Sequence, residues 1–152
     1  MIKQILTDII ISISRLTDCE THDAAGRPEA THPSKGGYMM KISEVIQILS
    51  AEVIWGDEKL CEREVQNACG SDLMSDVLAY VKDQSLLLTG LVNPQVIRTA
   101  EMMDFLCIAF VRGKRPDDAM IQLASEYNIV LISTEERMFS ACGKLYAAGL
   151  DG

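Results

Sequence analysis

The stretch Leu86–Ser133, LLLTGLVNPQVIRTAEMMDFLCIAFVRGKRPDDAMIQLASEYNIVLIS, decides the fold of this chain. It contains three short apolar runs, which begin at Leu86, Cys107 and Ile129 and are therefore 21 and 22 positions apart. Each run is continuously apolar rather than alternating, which is typical of parallel strands that are buried on both faces. A parallel pair needs a crossover connection, and this spacing leaves room for one helix between successive strands.

Helix-start signals lie between and after the three runs. Asn93-Pro94 predicts a helix to Met103, and Pro116-Asp117-Asp118 predicts another to Tyr127, since proline and carboxylates suit the first turn of a helix. Thr134-Glu135-Glu136 predicts the start of a last helix, which Gly149 can end. This alternation predicts a single α/β domain, Rossmann-like or flavodoxin-like, with a mainly parallel sheet flanked by helices.

The residues before this stretch predict further elements of the same domain. A short helix is expected near Met40–Leu49 with Ser43 as its N-cap, followed by a strand over Ala51–Trp55 and a weaker strand over Val65–Cys69. Ser71 and Asp72 are expected to cap one more helix. Its apolar face comprises Leu73, Met74, Val77, Leu78 and Val81.

The first 39 residues form a separate problem. Residues 2–16 carry apolar side chains at helical spacing and predict an amphipathic helix, whereas residues 17–38 are polar, contain Gly and Pro, and predict a linker. A second explanation is also open. Residues 35–40 can be encoded by a bacterial ribosome-binding sequence followed by a start codon. In that explanation, translation starts near Met40 and the preceding residues are upstream DNA assigned to the gene. In both cases we expect residues 1–39 to be an extension and residues 40–152 to be the α/β domain.

Charge and composition exclude several classes of function. The 152 residues contain 14 Lys and Arg against 22 Asp and Glu, which gives a net charge of −8. This balance argues against non-specific nucleic-acid binding, which depends on neutralising phosphates, and against adsorption to anionic membranes. No apolar run approaches the ~20 residues that span a bilayer.

Cysteine and histidine usage narrows the chemistry further. The five cysteines include no C-x-x-C pair, so we expect reduced thiols in a cytoplasmic protein. Both histidines, His22 and His32, precede Met40. The α/β domain therefore has no Ser-His or Cys-His pair and no histidine-bearing zinc site. The sequence predicts no catalytic residue, no metal site and no cofactor.

Polar residues and glycines follow the carboxyl ends of the three apolar strands, where ligands bind in open parallel sheets. Glycines let backbone amides approach a ligand, and helix N-termini favour anions. Arg112, Lys114 and Arg115 add positive charge. The sequence thus predicts an anion site formed by Thr89, Gly90, Asn93, Arg112, Gly113, Lys114, Ser133 and Thr134.

A plainer interpretation of these residues is also open. Asn93 and Thr134 are ordinary N-cap residues, and Gly90 and Gly113 are ordinary turn residues. The acidic pairs Asp72 with Asp76 and Asp117 with Asp118 are explained by the favourable position of carboxylates in a first helical turn. No phosphate-binding or dinucleotide-binding glycine motif is present.

Five short segments of the α/β domain form a recognisable combination: Ser71-Asp72-Leu73-Met74-Ser75-Asp76, Leu88-Thr89-Gly90, Asn93-Pro94, Val111-Arg112-Gly113 and Ser133-Thr134. With this combination the chain from Lys41 to Leu150 resembles a DRTGG domain and, more distantly, the N-terminal domain of HPr kinase/phosphorylase. A contiguous Asp-Arg-Thr-Gly-Gly string is absent, so no residue role is carried over from the family.

The resemblance implies an accessory role. DRTGG domains occur beside CBS domains in some pyrophosphatases, within some phosphotransacetylases and as stand-alone proteins, where they are regarded as regulatory or dimerising. We therefore expect a non-catalytic regulatory module that forms a homodimer, controls an unknown protein partner and senses a small anionic metabolite, phosphorylated or a nucleotide. The alternatives are a pure protein–protein interaction module and, less favoured, an enzyme that acts on a phosphorylated substrate.

The proposed boundary at Met40 leads to a test. A truncated chain that begins at Met40 should melt within a few degrees of the full chain, because residues 1–39 are expected to lie outside the folded core. Thermal unfolding followed by circular dichroism measures this. A large loss of stability would instead mean that the apolar stripe of residues 2–16 packs on the domain.

Overall fold

A computed structural model of the chain describes residues 38–80 and 85–152. The predicted amphipathic helix, the linker up to residue 37 and the predicted apolar position Val81 lie outside these residues. The boundary between extension and domain therefore stays a prediction.

The main sheet has five strands in the order β2-β7-β6-β5-β4. Its members are β2 (Glu52–Trp55), β4 (Asn67–Gly70), β5 (Ser85–Thr89), β6 (Cys107–Phe110) and β7 (Val130–Ser133). Strands β4 to β7 are mutually parallel, whereas β2 pairs antiparallel with β7. Two shorter strands, β1 (Met40–Lys41) and β3 (Glu64–Val65), pair antiparallel with each other. The predicted α/β class with a mainly parallel sheet is confirmed.

Six helices accompany the strands in the described part of the chain: α1 (Ile42–Ile48), α2 (Glu58–Cys61), α3 (Met74–Tyr80), α4 (Pro94–Met102), α5 (Asp118–Glu126) and α6 (Met138–Ala147). Helices α3, α4 and α5 connect successive parallel strands. Because crossovers are right-handed and all three run in one direction across the sheet, these helices share one face. No described helix has the length and apolar character that a membrane crossing requires.

Alternate side chains of each parallel strand enter two different cores. Leu87, Ile108, Phe110 and Leu131 face the core that is formed with α3, α4 and α5. The strand neighbours of these residues face the core formed with α1 and α6; they are Leu86, Leu88, Cys107, Ala109, Val130 and Ile132. All of these side chains are fully buried, which is why the three strands are continuously apolar in the sequence.

Two predicted helix starts are confirmed in detail. The Asn93 side chain accepts a hydrogen bond from the Gln95 amide at 2.8 Å, and Pro94 follows in the first turn of α4. Asp117 is the N-cap of α5, because its carboxylate accepts from the Met120 amide at 2.8 Å.

Two other predicted caps are wrong. Helix α1 begins at Ile42, one residue before Ser43, and the Ser43 hydroxyl contacts Glu62 instead. Helix α6 begins at Met138, four residues after Thr134. The Thr134 hydroxyl donates to the Leu49 carbonyl at 2.7 Å and accepts from the Glu136 amide at 3.2 Å, so it closes a local turn that lies ahead of the helix.

The strand predicted over Val65–Cys69 is two strands. Val65 belongs to β3 and pairs with Met40, whereas β4 begins at Asn67 and pairs with β5. The far side of β4 carries one further contact: the Ala68 amide donates to the Asp151 carbonyl at 2.8 Å, beside a parallel bridge between Asn67 and Asp151. Met74 and Val77 of α3 are buried, whereas Leu78 of the same helix and Leu73, which precedes it, are exposed although both belong to the predicted apolar face.

Candidate functional site

The loops after β4, β5 and β6 meet at the carboxyl edge of the sheet, around the carboxylate of Asp72. Asp72 Oδ1 accepts hydrogen bonds from the Gly90 amide at 2.6 Å and from the Thr89 hydroxyl at 3.0 Å. Asp72 Oδ2 forms an ion pair with Arg112 Nη2 at 3.0 Å. We call these four residues the Asp72 cluster. Three different donors thus converge on one carboxylate.

The backbone at the end of β5 shapes this cluster. Thr89 is the last residue of β5 and is buried, and its hydroxyl also accepts from the Leu91 amide at 3.1 Å, which fixes its orientation. A Cβ at Gly90 would overlap the guanidinium of Arg112, so a larger residue here would displace that side chain from Asp72. The missing side chain lets the arginine lie directly against the backbone.

A tight turn presents Arg112 from the end of β6. Arg112 and Gly113 both have φ of 62°, a left-handed conformation that costs a side-chain-bearing residue energy. Hydrogen bonds hold the turn: the Arg112 amide donates to the Glu136 carbonyl at 2.8 Å, and the Gly113 amide donates to the Thr134 carbonyl at 2.9 Å. The Ser133 hydroxyl adds a bond to the Lys114 carbonyl at 2.8 Å. The turn is therefore anchored to the end of β7 and the loop that follows.

The cluster stabilises the charged form of Asp72. Partial burial of this carboxyl raises its pKa, but the Gly90 amide, the Arg112 guanidinium and the Thr89 hydroxyl all donate to the carboxylate and outweigh that effect. The pKa of Asp72 therefore lies below its usual value. Both charged side chains remain partly open to solvent, since 47% of the Asp72 side chain and 43% of the Arg112 side chain are exposed.

The other cations near this edge differ in their pairing. Arg115 forms an ion pair with Glu52 of β2. Lys114 is exposed and, within residues 38–80 and 85–152, forms no ion pair. Lys114 is thus a cation next to the Arg112 turn whose charge the described chain leaves unpaired.

The eight residues of the sequence-predicted anion site separate into three groups. Thr89, Gly90 and Arg112 meet in the Asp72 cluster. Gly113, Lys114, Ser133 and Thr134 form the hydrogen bonds that join the Arg112 turn to the end of β7, so the Gly113 amide and both hydroxyls are occupied within the chain. Asn93 caps α4, with its side-chain oxygen on the Gln95 amide.

Sequence reasoning missed the role of Asp72. It assigned this carboxylate to the first turn of a helix, but α3 begins only at Met74, and the acid in its first turn is Asp76. The local turn is closed by Ser71, whose hydroxyl accepts from the Leu73 amide at 3.0 Å. The signal that could have found it is the weaker strand predicted over Val65–Cys69: if that strand runs parallel to the other three, Asp72 follows it at the same sheet edge as Thr89 and Arg112.

Two further concave regions lie away from the cluster. A cleft of about 540 Å³ is lined by Arg63, Glu101, Asp104, Phe105, Leu106, Tyr127 and Ile129. The Arg63 guanidinium is engaged there with backbone carbonyls of Leu106 at 3.1 Å and Asn128 at 2.6 Å. An apolar groove of about 290 Å³ lies between β4 and α6 and includes Phe139, Gly143 and Tyr146.

The described cysteines have the properties of structural thiols. Cys107 is fully buried, and burial raises its pKa far above the ordinary thiol value. Burial also raises the pKa of Cys61, Cys69 and Cys142, so these thiols are protonated at neutral pH and are weak nucleophiles. Within the described ranges no group of three or more His, Cys, Asp and Glu side chains is placed to hold a metal ion.

Comparison with known proteins supports the fold. No protein-family model and no curated protein matches this chain. In structure the chain is similar to the CBS and DRTGG domains of the regulatory region of Clostridium perfringens pyrophosphatase, which was solved in complex with its activator diadenosine tetraphosphate. The TM-score is 0.60 and the identity 18%, over 73% of this chain and 47% of that chain, so this chain spans about half the length of the structure it matches. The fold is therefore related to that of a DRTGG-containing regulatory region.

The geometry of the cluster predicts how the pKa of Asp72 responds to substitution. Arg112→Ala removes one donor, and Gly90→Ala displaces the same guanidinium by overlap. In both variants the pKa of Asp72 should rise toward its ordinary value, and a carbon-13 NMR titration of its carboxyl carbon measures this. Arg98→Ala, which removes an exposed arginine of α4, is the control.

The same shift predicts a pH dependence of stability. A carboxyl whose pKa is lowered in the folded chain contributes stability above its ordinary pKa, and this contribution is lost as the pH falls through the lowered value. The wild type should therefore lose more free energy of unfolding below about pH 4 than either variant. An unchanged Asp72 pKa in both variants would contradict the described geometry.

Proposed function

We propose that this chain is a non-catalytic regulatory module that binds a small anionic metabolite, phosphorylated or a nucleotide, at the carboxyl edge of its parallel sheet. The observation that carries the proposal is the Asp72 cluster, where an amide, a hydroxyl and a guanidinium already surround a carboxylate. The fit of a carboxylate among these three donors supports an oxyanion site at this place.

The donors of the cluster suit a phosphoryl group. Charged hydrogen bonds from arginine, together with backbone amides at a glycine turn, are the usual means by which proteins hold phosphate oxygens. Lys114 lies two residues from Arg112 and supplies a further charge for a ligand with more than one phosphate. The pair of Asp72 and Arg112 is half-exposed, and such surface pairs contribute little to stability. Because both side chains are half-exposed, a ligand can reach the Arg112 guanidinium from solvent.

The structural neighbour supports a regulatory rather than a catalytic role. It is a regulatory region, and its activator is a nucleotide, diadenosine tetraphosphate. A nucleotide is consequently the first class of ligand to test on this chain. Further support for a non-catalytic role comes from residues 40–152 themselves, which contain no histidine, and from the raised pKa values of the described thiols.

A pure interaction module is the second candidate, favoured by the exposed aromatic side chains of α6. An enzyme that acts on a phosphorylated substrate is a third and has the weakest support, since Asp, Lys and Cys would have to supply all its chemistry.

In each case the unit that acts is proposed to be residues 40–152, as Met40 is buried and pairs with Val65.

The chain is also proposed to form a homodimer through α6. Phe139 is 90% exposed, and four residues later Gly143 leaves open space, with no atom within 4 Å of a Cβ placed there. Residues four apart lie on one face of a helix. A two-fold axis that sets α6 antiparallel to its copy would place each Phe139 against the partner copy's gap. Two-fold symmetric contacts of this kind need such self-complementary patches.

Ligand binding tests the main proposal. A thermal-shift screen of nucleotides and sugar phosphates, followed by calorimetry, should find a compound that stabilises the wild type. Arg112→Ala should weaken its binding about tenfold to more than a hundredfold, because one charge-assisted contact is lost. Arg98→Ala should bind as the wild type does. If no compound stabilises the wild type, or if both variants respond alike, the interaction module becomes the leading function.

Light scattering tests the dimer. The wild type should be dimeric at micromolar concentration, and Phe139→Ala should be monomeric, because it removes the side chain that fills the partner's gap. Met102→Ala removes another exposed apolar side chain, on α4, and should remain dimeric. A monomeric wild type would reject the proposal, and a dimeric Phe139→Ala would reject this interface.

A further inference from the structure

The donors that the proposed function assigns to a ligand are occupied by the chain itself. The Gly90 amide and the Thr89 hydroxyl both donate to Asp72 Oδ1, and Arg112 pairs with Asp72 Oδ2. A bound phosphoryl group would need the same three donors. An anion and the Asp72 carboxylate therefore cannot both hold this position.

We propose that Asp72 is a built-in competitor, which an incoming anion must displace from Gly90, Thr89 and Arg112 before it can bind. This inference rests on the proposed function and adds its regulation. The free protein holds the site closed with its own carboxylate, and the bound protein releases that carboxylate to solvent.

The surroundings of Asp72 permit this displacement without unfolding of the domain. The Asp72 side chain is 47% exposed, and Leu73 beside it is exposed as well. The residues on either side are fixed: the Ser71 amide donates to the Leu88 carbonyl at 3.0 Å, and the Met74 side chain is buried in the core that α3 forms with the sheet. The Leu73 carbonyl also accepts from the Asp76 amide at 3.1 Å. Release of the carboxylate therefore requires only rotation of the Asp72 side chain, while β4 and α3 keep their places.

The competitor also selects the class of ligand. A carboxylate attached to the chain is present at a high effective concentration, so a free carboxylate with the same single charge competes poorly with it. A doubly charged phosphoryl or sulfuryl group gains more from Arg112 and from the unpaired charge of Lys114. The site should thus discriminate in favour of dianionic oxyanions.

Sulfate is the probe for the test, since it keeps two charges across the neutral range. Binding is measured by calorimetry on the full chain, with sodium chloride at matched ionic strength as the reference for screening. Asp72→Asn keeps the shape of the side chain and removes its charge. We expect this variant to bind sulfate about tenfold to a hundredfold more tightly than the wild type.

A matched control separates competition from general charge. Asp76→Asn removes a carboxylate four residues further on, which makes none of the hydrogen bonds of the cluster. It should change sulfate affinity much less than Asp72→Asn does. Arg112→Ala should weaken binding. The two partners of one ion pair thus shift affinity in opposite directions, which a purely structural ion pair would not do.

A measurement on the wild type keeps the test independent of the folding of any variant. The NMR scalar coupling through the hydrogen bond from the Gly90 amide nitrogen to the Asp72 carboxyl carbon should be lost on saturation with sulfate. If the coupling persists with sulfate bound, the inference is overturned.

The failures of the two proposals are distinguishable. In one outcome, the wild type binds sulfate or ATP, Arg112→Ala binds neither, and Asp72→Asn binds no more tightly than the wild type. This outcome rejects only the role of Asp72 as a competitor. If neither the wild type nor Asp72→Asn binds sulfate, phosphate or ATP, the proposed anion site is rejected together with it.

Discussion

Burial of β5, β6 and β7 on both faces is the constraint on which the rest of this structure depends. Their side chains alternate between two cores, and both cores are closed by helices. Apolar burial on this scale is the main source of stability in a domain of this size. Burying a polar side chain between the layers is costly unless it is hydrogen-bonded, and the polar residues of these strands, Ser85, Thr89 and Ser133, accordingly lie at the strand ends. The candidate site lies among the polar groups at the carboxyl ends of the parallel strands.

The parts of the fold that follow from this constraint were predictable from sequence. Continuous apolar runs gave the three central strands, and the helix starts at Pro94 and Asp118 followed from local rules of capping. The errors occurred where tertiary contacts outweigh local preference. Thr134 has a typical N-cap side chain, but its hydroxyl donates a hydrogen bond to the Leu49 carbonyl at the end of α1. Val65 and Asn67 are close in sequence, but they pair with different strands.

The candidate site shows the same limit more sharply. Thr89, Gly90 and Arg112 could be placed at one sheet edge, since parallel strands end together there. Asp72 was not placed there, because the weaker strand before it was not identified as parallel to the other three. A carboxylate shortly before a helix is equally compatible with a role at the helix start and with a role as the partner of a distant arginine. Only the three-dimensional arrangement, in which Gly90 admits the Arg112 guanidinium, decides between them.

The two outer strands of the sheet, β2 and β4, are both poorly suited to pairing with a further strand. The antiparallel register of β2 with β7 is interrupted by an irregularity between Val53 and Trp55, and such bulges make a strand edge a poor template for further pairing. At the other edge, the pairing of Asp151 with Asn67 and Ala68 covers part of β4. Edge-to-edge pairing of sheets from different copies, the route to fibrillar aggregates, is therefore disfavoured at both edges.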